Sequence, residues 1–291
     1  MLKKIKEVIG LCDWLIETTP ETIKNIEIKD KEGYYNEHLD PINPDMIEPV
    51  GDNYPYIKKP FKTGLKYWFM YHFMVKPLER RELKRMGFKV IGRENIKGIK
   101  SAVCTSNHVN KLDCSLNRRA LKGHKLYITA GPFNNMKGAL GDIMRCSRMM
   151  PMSETFAGMK HFDRSVNKLL SKKNYVLFYP ERSEWWCYKK PRPMMDGAFR
   201  YAAKNNVPVI PSFITFKENG KKCASGVDLF DMTVNILKPI YPKAGLTTKE
   251  QISYLKEENA RLWKECYEKT YGIPLVMNEP KFKDDDIAFK R

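Results

Sequence analysis

A histidine and an aspartate five residues apart are the side chains of this sequence best suited to chemistry. They are His108 and Asp113, in the segment 106–113. The apolar run 101–105 predicts a strand and the segment 112–122 predicts a helix, so that His108 lies in the strand-to-helix turn. A carboxylate that accepts the Nδ1 proton of the imidazole leaves the other ring nitrogen free to remove a proton from a substrate hydroxyl.

The predicted position of Asp113 in the first helical turn supports this interpretation. The helix dipole favours an anion there, which helps to keep the carboxyl ionised. A His–Asp pair at this spacing also occurs as a purely structural contact, so the pair is not diagnostic by itself. The context favours chemistry, because two further blocks follow downstream in a recognisable order.

These blocks carry a resemblance to a known family. The strand-like segment 175–179 runs into Pro180-Glu181, and after a predicted helix the segment 207–211 reads Val-Pro-Val-Ile-Pro. Together with Gly-Arg-Glu-Asn-Ile at 92–96 and the His-x4-Asp motif, they make the sequence similar to the glycerophospholipid acyltransferases, the lysophosphatidate acyltransferases among them, over roughly residues 88–240.

The resemblance implies an activity. A fatty acyl group would move from an acyl thioester, acyl-CoA or acyl carrier protein, to the hydroxyl of a lysophospholipid such as 1-acylglycerol-3-phosphate, with His108 as general base and Asp113 as its orienter. No Gly-x-Ser-x-Gly elbow is present, so the acceptor hydroxyl is expected to attack the thioester directly. Cys104 and Cys114 are alternative nucleophiles, although cysteines on strands and helices more often pack as small core residues. No histidine and cysteine share a metal-ligand spacing, so we expect neither metal nor cofactor.

The acceptor-binding positions depart from the family pattern. After the glutamate the family usually has Gly-Thr-Arg-Ser, whereas this chain has Arg-Ser-Glu-Trp-Trp at 182–186. The family's Phe with a following Arg is missing from 145–154. Arg182 is the nearest replacement for the displaced phosphate-binding arginine. The candidate substrate-binding residues are Asn107, Glu181, Arg182, Ser183, Arg145 and Arg148.

The residues after Arg182 leave several interpretations open. Lys189, Lys190 and Arg192 either add cations to the site or belong to a solvated loop. Trp185 and Trp186 could stack on a headgroup, line the acyl channel or enter a membrane interface.

Strands that alternate with helices predict an α/β fold, in which a largely parallel mixed sheet is flanked by helices as an acyltransferase sandwich with an irregular N-terminal arm. The predicted strands are 101–105, 125–130, 175–179, 207–216 and 232–240. The predicted helices after 112–122 are 136–144, 155–173, 194–206 and 247–271, with Thr248 as the cap of the last. The predicted units are the arm 1–60, an amphipathic helix 61–86 and an acyltransferase domain 87–291. Both the His108 turn and the Pro180-Glu181 turn follow strands, so they can face one cleft.

The charge is unevenly distributed. The net charge is +18, but residues 1–60 carry a net charge of −4 and the remainder +22. Such a basic field attracts an anionic membrane surface, an acidic acyl donor or nucleic acid. A nucleic-acid-binding protein is therefore the alternative from another class, but no nucleic-acid-binding motif accompanies the charge, so we expect no nucleic-acid partner. A solvated basic face without a partner is a further alternative.

The aromatic segment 61–75 is too short to span a bilayer, and we expect no transmembrane helix. It either lies in a membrane interface or packs on its own sheet, and the basic residues that follow it at 76–100 slightly favour the interface. Seven cysteines without a Cys-x-x-Cys pair, and a start that does not resemble a signal peptide, favour reduced thiols. The expected location is cytoplasmic, peripheral on the inner face of the cell membrane.

Overall fold

A seven-stranded mixed sheet runs through the structure, a computed structural model that describes residues 18–39, 43–57, 61–223, 226–276 and 282–290. The strands are β1 (Lys89–Ile91), β2 (Ala102–Ser106), β3 (Leu126–Ala130), β4 (Met149–Pro151), β5 (Tyr175–Phe178), β6 (Val209–Lys222) and β7 (Asp228–Ile236). Their order in the sheet is β1-β7-β6-β2-β5-β3-β4, and among the described strands β6 and β7 pair antiparallel while all other neighbours are parallel. The predicted fold class is thereby confirmed.

The central strands are buried on both faces, as is usual for parallel sheets covered by helices. Every residue of β2 and β5 is buried. Because side chains alternate along a strand, Cys104 and Leu177 enter one core cluster while Val103 and Val176 enter the other. This alternation fixes the register of the strands that carry the candidate site.

Helices cover both faces. Helices α6 (Phe156–Ser171), α7 (Gly197–Asn205) and α8 (Thr248–Tyr271) pack in one cluster. On the opposite face lie α1 (Pro20–Glu32), α3 (Lys76–Arg85) and α4 (Asp113–Ala120). At the β4 edge, α2 (Phe61–Met70) packs on α5 (Gly138–Cys146).

Several predicted boundaries were wrong. β6 continues to Lys222 through the predicted turn 217–225, and β7 begins at Asp228 rather than 232. The cap of α8 is Thr247 instead of Thr248, because Thr247 and Glu250 form a reciprocal capping box. The short strands β1 and β4 were not predicted.

The predicted helix 61–86 is helical throughout, with one irregular turn. Residues Tyr71–Val75 form a π-helical turn between α2 and α3, in which the Lys76 N–H donates to the Tyr71 carbonyl. Pro77 follows directly and has no N–H to continue the ladder, which gives the wider turn a physical cause.

The arm is more regular than the sequence suggested. Residues 1–17 of the predicted arm lie outside the described residues, but Pro20–Glu32 forms α1, capped by Thr19 and ended by Gly33 in a left-handed conformation. Tyr188 donates a hydrogen bond of 2.7 Å to Asp30 of this helix, which fixes α1 on the domain. The segment 287–289 near the C-terminus is buried in the same cluster.

Candidate active site

The His108 turn connects β2 to α4. β2 ends at Ser106 and α4 begins at Asp113, which places both residues as the sequence predicted. Asn110 shapes the turn: its side-chain oxygen accepts from the Leu112 N–H at 2.9 Å, and its carbonyl accepts from the Asp113 N–H at 2.8 Å. An Asx turn of this kind leads the chain into the helix without a gap.

His108 and Asp113 are in hydrogen-bond contact. Nδ1 of His108 lies 3.0 Å from Oδ2 of Asp113, and the Val109 N–H donates to the same oxygen at 2.7 Å. The Asp113 side chain is 1% exposed, whereas that of His108 is 22% exposed. With Asp113 ionised, Nδ1 carries the proton, and Nε2 is the ring nitrogen left to act on a substrate.

The electrostatics of the pair follow from its burial. Burial lowers the pKa of His108, and the nearby Glu184 and Glu181 oppose this shift while Arg192 reinforces it. Burial also raises the pKa of Asp113, against the backbone N–H groups of Asn110 and Val109. A lowered pKa keeps the imidazole neutral near pH 7, the form in which it can accept a proton.

Tyr179, which sequence reasoning did not single out, stacks on the imidazole. The two ring centroids are 4.1 Å apart and the planes differ by 17°. Tyr179 directly follows β5, so the stack joins the carboxyl ends of neighbouring strands. It limits rotation of the His108 ring about the Asp113 contact.

A buried ion pair holds the backbone of the turn. Glu181 Oε2 accepts from the His108 N–H at 2.9 Å and from Nη2 of Arg192 at 2.8 Å, while its Oε1 accepts from the Arg192 N–H at 2.8 Å. Nη2 of Arg192 also donates to the His108 carbonyl at 3.2 Å. We call residues 181–192 the clamp loop, because Glu181 at its start accepts from the His108 N–H and Arg192 at its end donates to the His108 carbonyl.

The remaining contacts of Arg192 complete the clamp. Its Nη1 donates to the Ser183 hydroxyl at 2.9 Å and to the Tyr35 carbonyl of the arm at 3.0 Å. Arg192 and Ser183 are buried, so neither is a cation or hydroxyl offered to solvent. Glu181 and Ser183, which were predicted to contact the substrate, instead bond to Arg192 within the clamp loop in this structure.

Asn107 also makes structural contacts. Its side-chain nitrogen donates to the Ile214 carbonyl at 3.0 Å and its oxygen accepts from the Ile214 N–H at 2.7 Å. The side chain is fully buried. It therefore ties the end of β2 to β6 and offers no exposed amide atom for the predicted substrate contact.

The three other arginines of the prediction lie in different places. Arg182 is exposed on the clamp loop, with a left-handed backbone conformation (φ 71°), next to Glu181. Arg145 is mostly buried and bonds to Tyr67, Asp142 and the arm residue Glu48. Arg148 precedes β4, at the amino end of that strand, whereas His108 follows the carboxyl end of β2. Arg145 also donates to Asn135, beyond the carboxyl end of β3, so its guanidinium lies at the same edge of the sheet but is occupied by these bonds. Of the three, Arg182 is the exposed arginine on the clamp loop next to Glu181.

The tryptophans differ from each other. Trp185 is fully buried, its backbone N–H donates to the His108 carbonyl at 3.0 Å and its Nε1 donates to the Glu37 carbonyl at 3.2 Å. Trp186 is half-buried, and Nζ of Lys111 lies 3.3 Å from its ring centroid. Trp185 is therefore part of the core, and Trp186 is the tryptophan of the pair with surface at the site.

The cysteines near the dyad are poorly suited to nucleophilic attack. Burial raises the pKa of Cys114 to about 11 and raises that of Cys104 further. A thiol needs a lowered pKa to supply thiolate at neutral pH. The alternative in which one of these cysteines attacks the thioester is therefore disfavoured.

Residues 87–215 match the family model described as Acyltransferase. Over that segment the match confirms the resemblance stated from the sequence. Among solved structures, the crystal structure of the 1-acyl-sn-glycerophosphate (LPA) acyltransferase PlsC from Thermotoga maritima matches with a TM-score of 0.47 and 15% sequence identity, over 74% of this chain and 97% of that chain. No curated protein matches the sequence.

Within the described ranges, no helix combines the length and the apolar character needed to cross a membrane. The same ranges hold no group of three or more His, Cys, Asp or Glu side chains arranged to bind a metal ion.

Proposed function

We propose that this protein transfers a fatty acyl group from an acyl thioester, acyl-CoA or acyl carrier protein, to the hydroxyl of a lysophospholipid such as 1-acylglycerol-3-phosphate. The observation that carries the proposal is the 3.0 Å contact between His108 Nδ1 and Asp113 Oδ2 at the carboxyl end of β2, inside the acyltransferase segment. The contact leaves Nε2 of a partly exposed imidazole free for the acceptor.

The chemical step needs no protein nucleophile. Nε2 of His108 takes the proton of the acceptor hydroxyl as its oxygen attacks the thioester carbonyl carbon. When the tetrahedral intermediate collapses, the C–S bond breaks, the new ester remains on the lipid, and the proton on His108 passes to the leaving thiolate. Asp113 stabilises the imidazolium that exists between the two transfers.

Arg182 supports a phosphorylated acceptor. Its side chain is exposed beside Glu181, and within the described part of the chain no carboxylate pairs with it. An unpaired guanidinium is suited to a phosphate, which it can bind through two parallel N–H donors. The finer choice of lysophosphatidate as the acceptor rests on this residue.

The helix that includes α2 and α3 supports a peripheral position on an anionic membrane. Seven large apolar side chains of this helix are exposed: Phe61, Leu65, Trp68, Phe69, Phe73, Met74 and Leu78. Their spacing follows one side of the helix, which is the pattern of an interfacial helix. We accordingly propose attachment to the cytoplasmic face of the cell membrane, from which a lysophospholipid reaches the site laterally.

The proposal is tested by incubation with labelled acyl-CoA and acyl carrier protein thioesters and a panel of lysolipids, followed by identification of the products. The panel contains phosphomonoester, zwitterionic and uncharged acceptors. We expect a diacyl product, formed fastest from a phosphomonoester. A neutral acceptor that outruns every phosphorylated one would contradict the acceptor assignment, and the absence of any acyl ester product would contradict the function.

A further inference from the structure

The arm runs along the edge of the sheet that carries His108. Beyond β3, the Glu48 N–H donates to the Asn135 carbonyl at 2.8 Å, and Nδ2 of Asn135 donates back to the Glu48 carbonyl at 2.7 Å. Beyond β4, the Ser153 hydroxyl donates to the Val50 carbonyl at 3.0 Å. All these partners follow the carboxyl ends of their strands, where ligands of open α/β sheets bind.

The arm is also bonded to the clamp loop beyond β5. The Tyr35 carbonyl accepts from the Ser183 hydroxyl at 3.1 Å as well as from Arg192. The Tyr35 and Trp185 rings lie 5.8 Å apart. Trp185 and Arg192 both donate to the His108 carbonyl. Each of these two residues therefore contacts Tyr35 of the arm on one side and the His108 turn on the other.

His38 lies between these two attachments. Its ring meets Phe133, just beyond β3, in an edge contact with centroids 4.5 Å apart. On the clamp-loop side, the backbone carbonyl of its neighbour Glu37 accepts a hydrogen bond from the Trp185 indole N–H. His38 is half-buried, so part of its surface remains open at the carboxyl edge.

The charges around His38 are those of a site for an anion. Burial lowers the pKa of His38, and the nearby groups His108, Arg182, Arg192 and Lys29 lower it further. Glu181 compensates the charge of Arg192, and Glu37 lies 2.6 Å from Nζ of Lys29. Arg182 is the cation of this group that no carboxylate of the described chain pairs.

We propose that His38 is a further acceptor-binding residue, which donates a hydrogen bond to the phosphate of the acceptor alongside Arg182. The arm would thereby form one wall of the acceptor site, and the choice of a phosphorylated acceptor would depend on a segment outside the acyltransferase match at 87–215. A bound phosphate would compensate the unpaired charge of Arg182 and favour protonation of His38. This inference rests on the proposed acyl transfer to a lysophospholipid.

The test compares two acceptors that differ in the phosphate alone, a 1-acylglycerol-3-phosphate and the matching monoacylglycerol. In His38→Ala, KM for the phosphorylated acceptor should rise by about 10-fold, the scale of one lost hydrogen bond to a charged group, while kcat and both parameters for the uncharged acceptor stay within about twofold. His38→Gln retains a donor and should recover part of the loss. His38→Asp puts a carboxylate beside Arg182 and should raise KM further.

His124→Ala is the matched control. His124 also has a pKa lowered by burial, but it stacks on Tyr175, the first residue of β5, at the other end of the strand from the clamp loop. Its variant should behave as wild type with both acceptors.

Equal losses with the two acceptors, or none, would overturn the inference and leave the proposed function standing. A wild-type protein that forms no ester from either acceptor or from the wider lysolipid panel would overturn both. Thermal unfolding of each His38 variant detects a fold defect, which would lower the unfolding temperature. Such a defect would also affect both acceptors alike, whereas a lost phosphate contact changes KM for the phosphorylated acceptor alone.

Discussion

At the scale of single residues, the proposed chemistry depends on a His108 side chain that is neutral and held in one orientation. Asp113 binds Nδ1, Tyr179 covers one ring face, and burial lowers the pKa of the imidazole. Asp113 lies at the start of α4, Tyr179 directly follows β5, and the burial is due to the surrounding core. Their combined effect is an imidazole that is neutral near pH 7, which is the form that the proposed role as general base requires.

The pH dependence of kcat follows from the direction of the His108 shift. The base is active when neutral, so the rate is present above its pKa and is lost as the pH falls through that pKa. Burial puts the pKa below the usual 6.5, and the midpoint of the acidic limb should therefore lie below that value. We would measure kcat from about pH 4.5 to 8 with a phosphomonoester and a zwitterionic acceptor. A midpoint above 6.5 with both acceptors would contradict the assignment of the base.

Arg182 should decide acceptor affinity. Arg182→Ala removes the exposed guanidinium, and kcat/KM for a phosphorylated acceptor should fall by roughly 10- to 100-fold because one charge-assisted contact is lost. Donor KM should not change. Arg182→Lys should recover only part of the loss, since an ammonium does not reproduce the bidentate fork. A near-silent Arg182→Ala, together with a large effect of Trp186→Ala, would indicate an acceptor without a phosphate.

At the scale of the elements, the clamp loop connects the site to the fold. Arg192 and Glu181 are both buried, and their contacts reach the His108 backbone and the arm. Removing one partner of such a buried ion pair lowers the stability of the fold strongly, because the other charge stays buried without compensation.

Arg192→Ala should therefore lower the free energy of unfolding by about 3–5 kcal/mol. Chemical denaturation followed by circular dichroism measures the loss. The matched control is Arg261→Ala on α8, where a half-exposed arginine pairs with Glu258 and Glu265 and should be worth less than about 1 kcal/mol. Equal costs at the two positions would show that the clamp does not stabilise the loop.

The sequence predicts elements whose signals are local. The His108 turn was predictable because its strand, its spacing and its helix lie within about twenty residues. The signal for α1 was also present, in Thr19 followed by Pro20 at the first helical position, but the prolines and asparagines further along the arm obscured it. β1 and β4, three residues each, are too short to show a period.

The clamp could not be predicted, because its contacts join distant parts of the chain. Arg192 meets the His108 carbonyl 84 positions away and the Tyr35 carbonyl 157 positions away. Composition predicts a solvated cation at such a position, and only the tertiary structure shows a buried one. The sequence likewise does not show that Glu181 and Ser183 bond to Arg192, and it therefore predicted that both contact the substrate.

At the scale of the whole molecule, two surface features act together. The chain carries +18 overall, with its excess of cations beyond residue 60. The exposed apolar side of the helix that includes α2 and α3 offers side chains that can enter the headgroup region. Long-range attraction would bring the protein to an anionic surface, and apolar contact would hold it there.

Vesicle binding tests this combination. The protein should bind anionic vesicles more tightly than neutral ones, by about 1 kcal/mol for each basic residue near the surface, and rising salt should reduce the difference. Replacing Phe69 and Phe73 by Ser should weaken binding to both vesicle types by roughly tenfold or more. As the control, Ile273→Ser changes an exposed apolar residue just beyond α8, distant in sequence from α2 and α3, and should leave vesicle binding unchanged. Equal partitioning to both vesicles, with salt-sensitive binding to arbitrary DNA duplexes instead, would contradict membrane attachment.

The most direct test of the account is acyl transfer by the dyad variants, measured with labelled acyl thioester and a saturating lysophospholipid. His108→Ala should abolish ester formation while unfolding and donor binding stay near wild type, and Asp113→Asn should lose about 10³- to 10⁴-fold in rate because the imidazole is held in the wrong tautomer. His124→Ala should transfer normally. Near-normal turnover by His108→Ala would contradict the assignment of His108 as the general base.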